Sequence, residues 1–157
     1  MLRMLRTRFY IILSVLMSVL PLSGASQPVS PYDAVNPFIG TGNEGNCYPG
    51  AQAPFGMISI SPNNPFDKKE DVPSRPGYKY SRSEINGFGM THFSGVGCHA
   101  MQDLQFLPVT GSLDRTPVGD RFAYRSEFSH EHETAKPGYY AVSLPDYQID
   151  TLSLIHI

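Results

Sequence analysis

Within Phe88 to His99, FGMTHFSGVGCH, stand two histidines, a cysteine, two hydroxyl side chains and three glycines. Such a mixture admits three chemistries. A metal site would draw on His92, Cys98, His99 and Asp103, all of them competent zinc ligands. Their spacing fits no recognised zinc pattern, and no second close pair completes one. A nucleophile would be Ser94, but the G-x-S-x-G elbow needs glycine where His92 stands, and no helix follows. The third reading is a glycine-rich loop leaving a strand. Gly95 and Gly97 allow backbone conformations closed to other residues and let a ligand approach the chain. Thr91, His92 and Ser94 could then hydrogen-bond a polar ligand, or one another.

Two further stretches carry chemical groups. In SHEHE, Ser129 to Glu133, a metalloprotease motif would need histidine at 133, where glutamate stands. Glu131 and Glu133 read as surface or loop-shaping residues. In NPFIGTGNEGNCYPGA, Asn36 to Ala51, a phosphate loop would need G-x-x-x-x-G-K-[ST], and no lysine is present. Gly40, Gly42, Gly45 and Gly50 therefore indicate a tight irregular loop. Asn43, Glu44 and Asn46 offer polar groups on it, suited to sugar hydroxyls or to a purely structural role.

The elements that must hold these loops read as short strands. GMISIS (56–61) alternates Met57 and Ile58/Ile60 with small polar residues. LQFLPVTG (104–111) reads as a buried run. RFAYRSEFS (121–129) sets Phe122, Tyr124, Ser126 and Phe128 on one face. GYYAVSLP (138–145) does the same with Tyr140, Val142 and Leu144, and YQIDTLSL begins another strand. Pro, Gly and Asn turns separate them, and the polar segment 63–77 is expected to be an exposed loop. No segment after Pro21 shows helical apolar spacing over ten or more positions, and no repeat is visible. Short strands at intervals of roughly 8–12 residues indicate an antiparallel β-sandwich, hence an all-β fold.

Composition limits the partners. The 157 residues carry a formal charge of −2, with 14 glycines, 14 prolines and 17% charged residues. No basic footprint points to nucleic acid. Arg3, Arg6 and Arg8 precede an apolar run from Phe9 to Leu20, followed by Ser23-Gly24-Ala25. That is the layout of a signal peptide over 1–25, too short to span a bilayer, so export without a stable membrane anchor is expected. Cys47 and Cys98 could form a disulfide in an oxidising compartment or stay two thiols; the second is the reading preferred here. The terminal LSLIHI, 152–157, reads as the translation of a transposase adaptor. The genuine sequence is then expected to stop near Thr151, leaving 26–151 as part of a longer protein.

Four segments, taken in order, resemble one family. They are VNPFIGTGNEGNCYPGAQAPFGMISISP (35–62), GYKYSRSEINGFGMTHFSGVGC (77–98), DLQFLPVTG (103–111) and FSHEHETAKPGYYAVSLPDYQIDT (128–151). Together they look like the N-terminal domain of glycoside hydrolase family 92, the calcium-dependent exo-α-mannosidases. The resemblance implies a partial N-terminal β-sandwich that packs on a C-terminal (α/α)6 barrel missing from this chain. It implies an exported bacterial enzyme, periplasmic or extracellular, acting on mannose-containing glycans by inversion. Two carboxyl groups about 6.5–9.5 Å apart would flank the bond and admit water. Those carboxylates and the calcium ligands belong to the barrel, so no residue here is expected to be catalytic or metal-binding, and this portion alone is expected to be inactive.

This domain's implied part is to complete the sugar pocket. Gly42, Asn43, Glu44, Asn46 and Tyr48 on the first loop, with Thr91, His92, Ser94 and Gly95 on the second, are the candidate substrate-binding residues. The alternative is that THFSGVGC only braces the domain interface. Two departures bear on substrate preference. Family members commonly carry a GHGH-like run where this chain has Asn43-Glu44-Gly45-Asn46. Many have a tryptophan before GYxY, whereas this chain has none. Stacking there would fall to Phe66 or Tyr78. Rival readings are a stand-alone carbohydrate-binding module and a structural sandwich domain.

Overall fold

The computed structural model describes residues 28–52, 57–65, 75–96, 104–116, 120 and 123–155. The fold over these residues is all-β. Nine short strands form three antiparallel sheets, and the α-helix among them is the single turn Pro31–Ala34. The segment 1–25 lies outside the described residues, as do Phe66, Cys98, His99 and Asp103. Among those described, no helix is long and apolar enough to cross a membrane.

The first sheet joins β1 (Ala51–Gln52), β2 (Ser59–Asn63), β4 (Gly87–Gly89) and β5 (Gln105–Phe106) in the order β1-β2-β4-β5. The second pairs β3 (Glu84–Ile85) with β6 (Ser126–Glu127). The third is a meander of β7 (Glu133–Lys136), β8 (Tyr139–Leu144) and β9 (Ile149–Leu154). Its first turn is Pro137-Gly138, with Gly138 at φ 71°. Proline ahead of a positive-φ glycine suits a type II turn. Its second turn is a 3-10 turn, Pro145–Tyr147, closed by Gln148 at φ 54°.

The meander follows its sequence pattern. Tyr140, Val142 and Leu144 are all buried, and their β9 partners Ser153, Thr151 and Ile149 face the same side. Phe88 of β4 meets Tyr140 edge-on, ring centroids 6.5 Å apart, so the first and third sheets share one core. Ala51, Tyr78, Ile85 and Phe128 complete it. Each such large apolar side chain contributes about 1.5–3 kcal/mol by leaving water.

A carboxylate lies inside this core. Glu133 is buried and accepts from Tyr140 Oη at 2.6 Å and Tyr78 Oη at 3.1 Å, while His130 Nδ1 stands 2.6 Å from its Oε2. Burial, with the neighbouring Glu133, raises both phenols well above their ordinary value, so they stay protonated as donors. The other ring nitrogen of His130 lies 2.7 Å from the Tyr80 carbonyl, and the imidazole stacks on Tyr80 at 4.0 Å. Glu131 is exposed, but Glu133 is a core residue rather than a surface one.

Three further expectations are corrected. In GMISIS and the residues after it both faces are covered rather than one: Met57 and Ile58 are exposed, Ile60 is half-buried against the core, and Ser59, Ser61 and Asn63 are buried on the other face. In LQFLPVTG, Leu104 and Phe106 are exposed and Gln105 is half-buried. A polar layer on the face of the first sheet opposite the core, described below, covers Ser59, Asn63 and Gln105. The ends of segment 63–77 are buried rather than exposed. Asn64 accepts from Lys79 N at 2.6 Å and donates to the Glu84 carbonyl at 2.7 Å, stapling three pieces of chain.

Candidate functional site

The glycine loop begins at Gly40, where φ is 81° and a Cβ would lie 2.7 Å from Cys47 Sγ. Cys47 N donates to the Gly40 carbonyl at 3.0 Å and Gly45 N to Gly42 O at 3.1 Å, which closes the loop on itself. Asn43 and Asn46 take positive φ of 49° and 51°. Asparagine tolerates this left-handed region better than most side chains. Gly42 and Asn46 are half-buried, and Asn43 and Glu44 are exposed. Cys47 is a free thiol.

The second loop leaves β4 at Met90. Thr91 is half-buried and His92 is 5% exposed, whereas Phe93, Ser94, Gly95 and Val96 face solvent. Gly95 N donates to the Asn46 carbonyl at 2.8 Å, and the rings of Tyr48 and His92 pack 5.1 Å apart. The tertiary structure thus brings the two loops together, with Tyr48 and His92 beneath and Asn43, Glu44 and Ser94 at the surface. Partial burial raises the Tyr48 phenol, whose hydroxyl donates to Gln52 Oε1. The exposed groups are an amide, a carboxylate and a hydroxyl beside an exposed aromatic, Phe93. They can hydrogen-bond and stack on a polyhydroxylated ligand.

His92 is placed to support rather than to touch. Its Nδ1 lies 2.8 Å from the Ser59 carbonyl and its Nε2 lies 2.9 Å from Asn63 Oδ1. Its backbone N–H donates to Ser59 Oγ at 2.8 Å, and Ser59 Oγ donates to the His92 carbonyl at 3.2 Å. Both ring nitrogens are occupied. Burial pulls the imidazole down to about 4, against the Ser59 carbonyl, which pulls the other way. At neutral pH the ring is therefore uncharged.

The layer beneath extends further than the sequence motifs. Asn63 Nδ2 donates to Gln105 Oε1 at 3.1 Å, and Gln105 Nε2 donates to the Asn86 carbonyl at 2.7 Å. Two glycines of β4 make room for it. A Cβ on Gly89 would lie 2.9 Å from His92 Cε1, and one on Gly87 would lie 2.5 Å from Gln105 Nε2. Phe88 between them turns the opposite way, into the core. Ser59, Asn63, Gln105 and Phe93 all escaped the motif reading. The signal available was Gly-Phe-Gly, a strand with side chains on one face only.

Tyr78 cannot supply the stacking ring, because it is buried and spends its hydroxyl on Glu133. The candidate loops also stand apart from an open cleft of about 670 Å³ over β3 and β6, lined in part by Arg115, Tyr124, Arg125 and Tyr147. Among the described residues no three His, Cys, Asp or Glu side chains gather as a metal site would require.

A profile of the glycosyl hydrolase family 92 N-terminal domain matches residues 34–152. A family 92 α-mannosidase from Bacteroides thetaiotaomicron, solved in complex with mannoimidazole, is 41% identical with a TM-score of 0.69. That match covers 80% of this chain and 17% of the other. A second family 92 glycosyl hydrolase is 36% identical over 70% of this chain and 14% of its own, with a TM-score of 0.58. An inverting family 92 mannosidase from Bacteroides thetaiotaomicron VPI-5482 is 27% identical over 78% of this chain and 16% of its own, with a TM-score of 0.55. The chain thus spans about a sixth of the length of these solved relatives. A comparison with curated proteins found no match.

Proposed function

We propose, from the premise that this chain belongs to glycosyl hydrolase family 92 as its N-terminal domain, that the whole protein is an exported α-mannosidase. The observation that carries the reading is the family match over 34–152, joined to 41% identity with an α-mannosidase that binds mannoimidazole. The substrate is the terminal α-mannoside of a glycan, and the bond is cleaved with inversion. One carboxylic acid protonates the leaving oxygen while a carboxylate activates water on the opposite face of the ring. Both belong to the part of the protein beyond this domain.

The role of this domain is to supply one wall of the sugar pocket. Asn43, Glu44 and Ser94 hydrogen-bond hydroxyls of the substrate, and Gly42, Asn46, Tyr48, Thr91, His92 and Gly95 hold those groups in place. The calcium that the family resemblance implies would be held by oxygen ligands of the part of the protein beyond this domain.

The test is expression of the complete reading frame and assay on 4-nitrophenyl α-mannoside and α-linked mannobioses, with the anomer of the released mannose read by NMR. Release of β-mannose first, abolished by a chelator and restored by calcium, is the expected result. Absence of hydrolysis on every linkage would withdraw the reading.

A further inference from the structure

The polar layer of the first sheet runs in one direction. The Asn86 carbonyl can only accept, so Gln105 must turn its amide nitrogen toward it, at 2.7 Å. Gln105 Oε1 is then left to accept from Asn63 Nδ2, at 3.1 Å. Asn63 in turn presents Oδ1 to His92 Nε2, at 2.9 Å. Each amide orientation is forced by the one before it, and the sequence of bonds ends on the imidazole. On the other side of the ring the Ser59 carbonyl also only accepts, at 2.8 Å. A neutral imidazole has one N–H for these two acceptors. Asn63 Oδ1 and the Ser59 carbonyl share that N–H between them, and together they fix how the ring is turned.

The ring then fixes what lies above it. Tyr48 packs on it, and the His92 backbone is held by Ser59. Three residues on, Gly95 ties the second loop to the first. We propose that Asn63 and Gln105 are positioning residues of the sugar pocket, holding both loops through the His92 ring without touching the ligand. The proposal rests on the reading of these loops as the pocket wall.

Gln105→Glu tests it, because glutamate has nearly the shape of glutamine. Protonated, it can still donate to the Asn86 carbonyl; ionised, it cannot, and two oxygens face each other, so partial burial and the bond made only by the neutral form hold this carboxyl above the ordinary glutamate value. The titratable groups it meets through the layer are His92 and, beyond it, Tyr48. In the complete gene product, kcat/KM on 4-nitrophenyl α-mannoside should match the parent at pH 5 and fall at least tenfold below it at pH 8. Asn63→Leu, which fills the space without linking, should be impaired at both pH values. A Gln105→Glu profile parallel to the parent from pH 5 to 8 would overturn the proposal.

Melting midpoints keep the test independent of activity. The Gln105→Glu protein should melt with the parent at pH 5 and several degrees lower at pH 8, whether or not it hydrolyses anything. Equal offsets at the two pH values would remove the donor-directed layer. An inactive parent with the pH-dependent melting intact would instead remove the pocket reading alone.

Discussion

At the scale of single residues, His92 and Glu133 show two ways of burying a polar group. Glu133 gathers two phenols and an imidazole and remains hydrogen-bonded throughout. Removing one acceptor from such a cluster strands donors that have no water to turn to. Glu133→Gln should therefore lower stability by about 1–3 kcal/mol, read from chemical denaturation, because its amide nitrogen would face a hydroxyl that needs an acceptor. His92 is buried uncharged, at about 4 against an ordinary 6.5. A histidine whose folded value is depressed binds fewer protons when folded than when unfolded. Stability is thus complete above pH 6.5 and declines as the pH falls toward 4, by roughly 3 kcal/mol in total. His92→Gln should flatten that slope between pH 6.5 and 4, and an unchanged slope would assign it to other groups. In the complete protein His92→Ala should also lower kcat/KM tenfold or more, about 1.4 kcal/mol.

At the scale of elements, strand β4 explains why polar side chains of two neighbouring strands are covered. Gly87 and Gly89 expose the backbone on one face, and a histidine with two amides lies across it. Ser59 and Asn63 face that layer, while Ile60 and Pro62 lie on the opposite face with Phe88, where Ile60 packs against the core. Gln105 likewise lies against the glycines of β4, while Phe106, opposite Phe88 on the core side of the last strand in the sheet, stays exposed. Gly89→Ala should push against the His92 ring and cost about 1–3 kcal/mol in a thermal or urea melt. Gly95→Ala offers a contrast. Nothing lies within 4 Å of its Cβ, so its cost, about 1–3 kcal/mol in the same melt, comes only from φ 107° and should be the same with or without the His92 ring.

At the scale of the whole molecule, the core is the meeting of the Phe88 face with the Tyr140, Val142 and Leu144 face. Leu144 is fully buried, and Leu144→Ala should destabilise by about 2–5 kcal/mol in the same denaturation assay. The alternation along β8 was legible because one face of that strand meets a purely apolar neighbour. So were the all-β class and the membership of family 92, because short strands, turn residues and ordered motifs are local properties of a chain. The pairing of the two loops was not, since the bond from Gly95 to Asn46 and the packing of Tyr48 on His92 join positions 44 to 49 residues apart. Nor was the burial of Ser59, Asn63 and Gln105. Hydrophobic alternation assigns polar side chains to water, and only the tertiary structure shows a carbonyl or a ring nitrogen waiting for each of them instead. The sequence by itself determined the all-β class, the family and two polar glycine-rich loops; the tertiary structure decided which of their residues face the solvent and which hold the others in place. The reason is that donors and acceptors are satisfied in space and not along the chain.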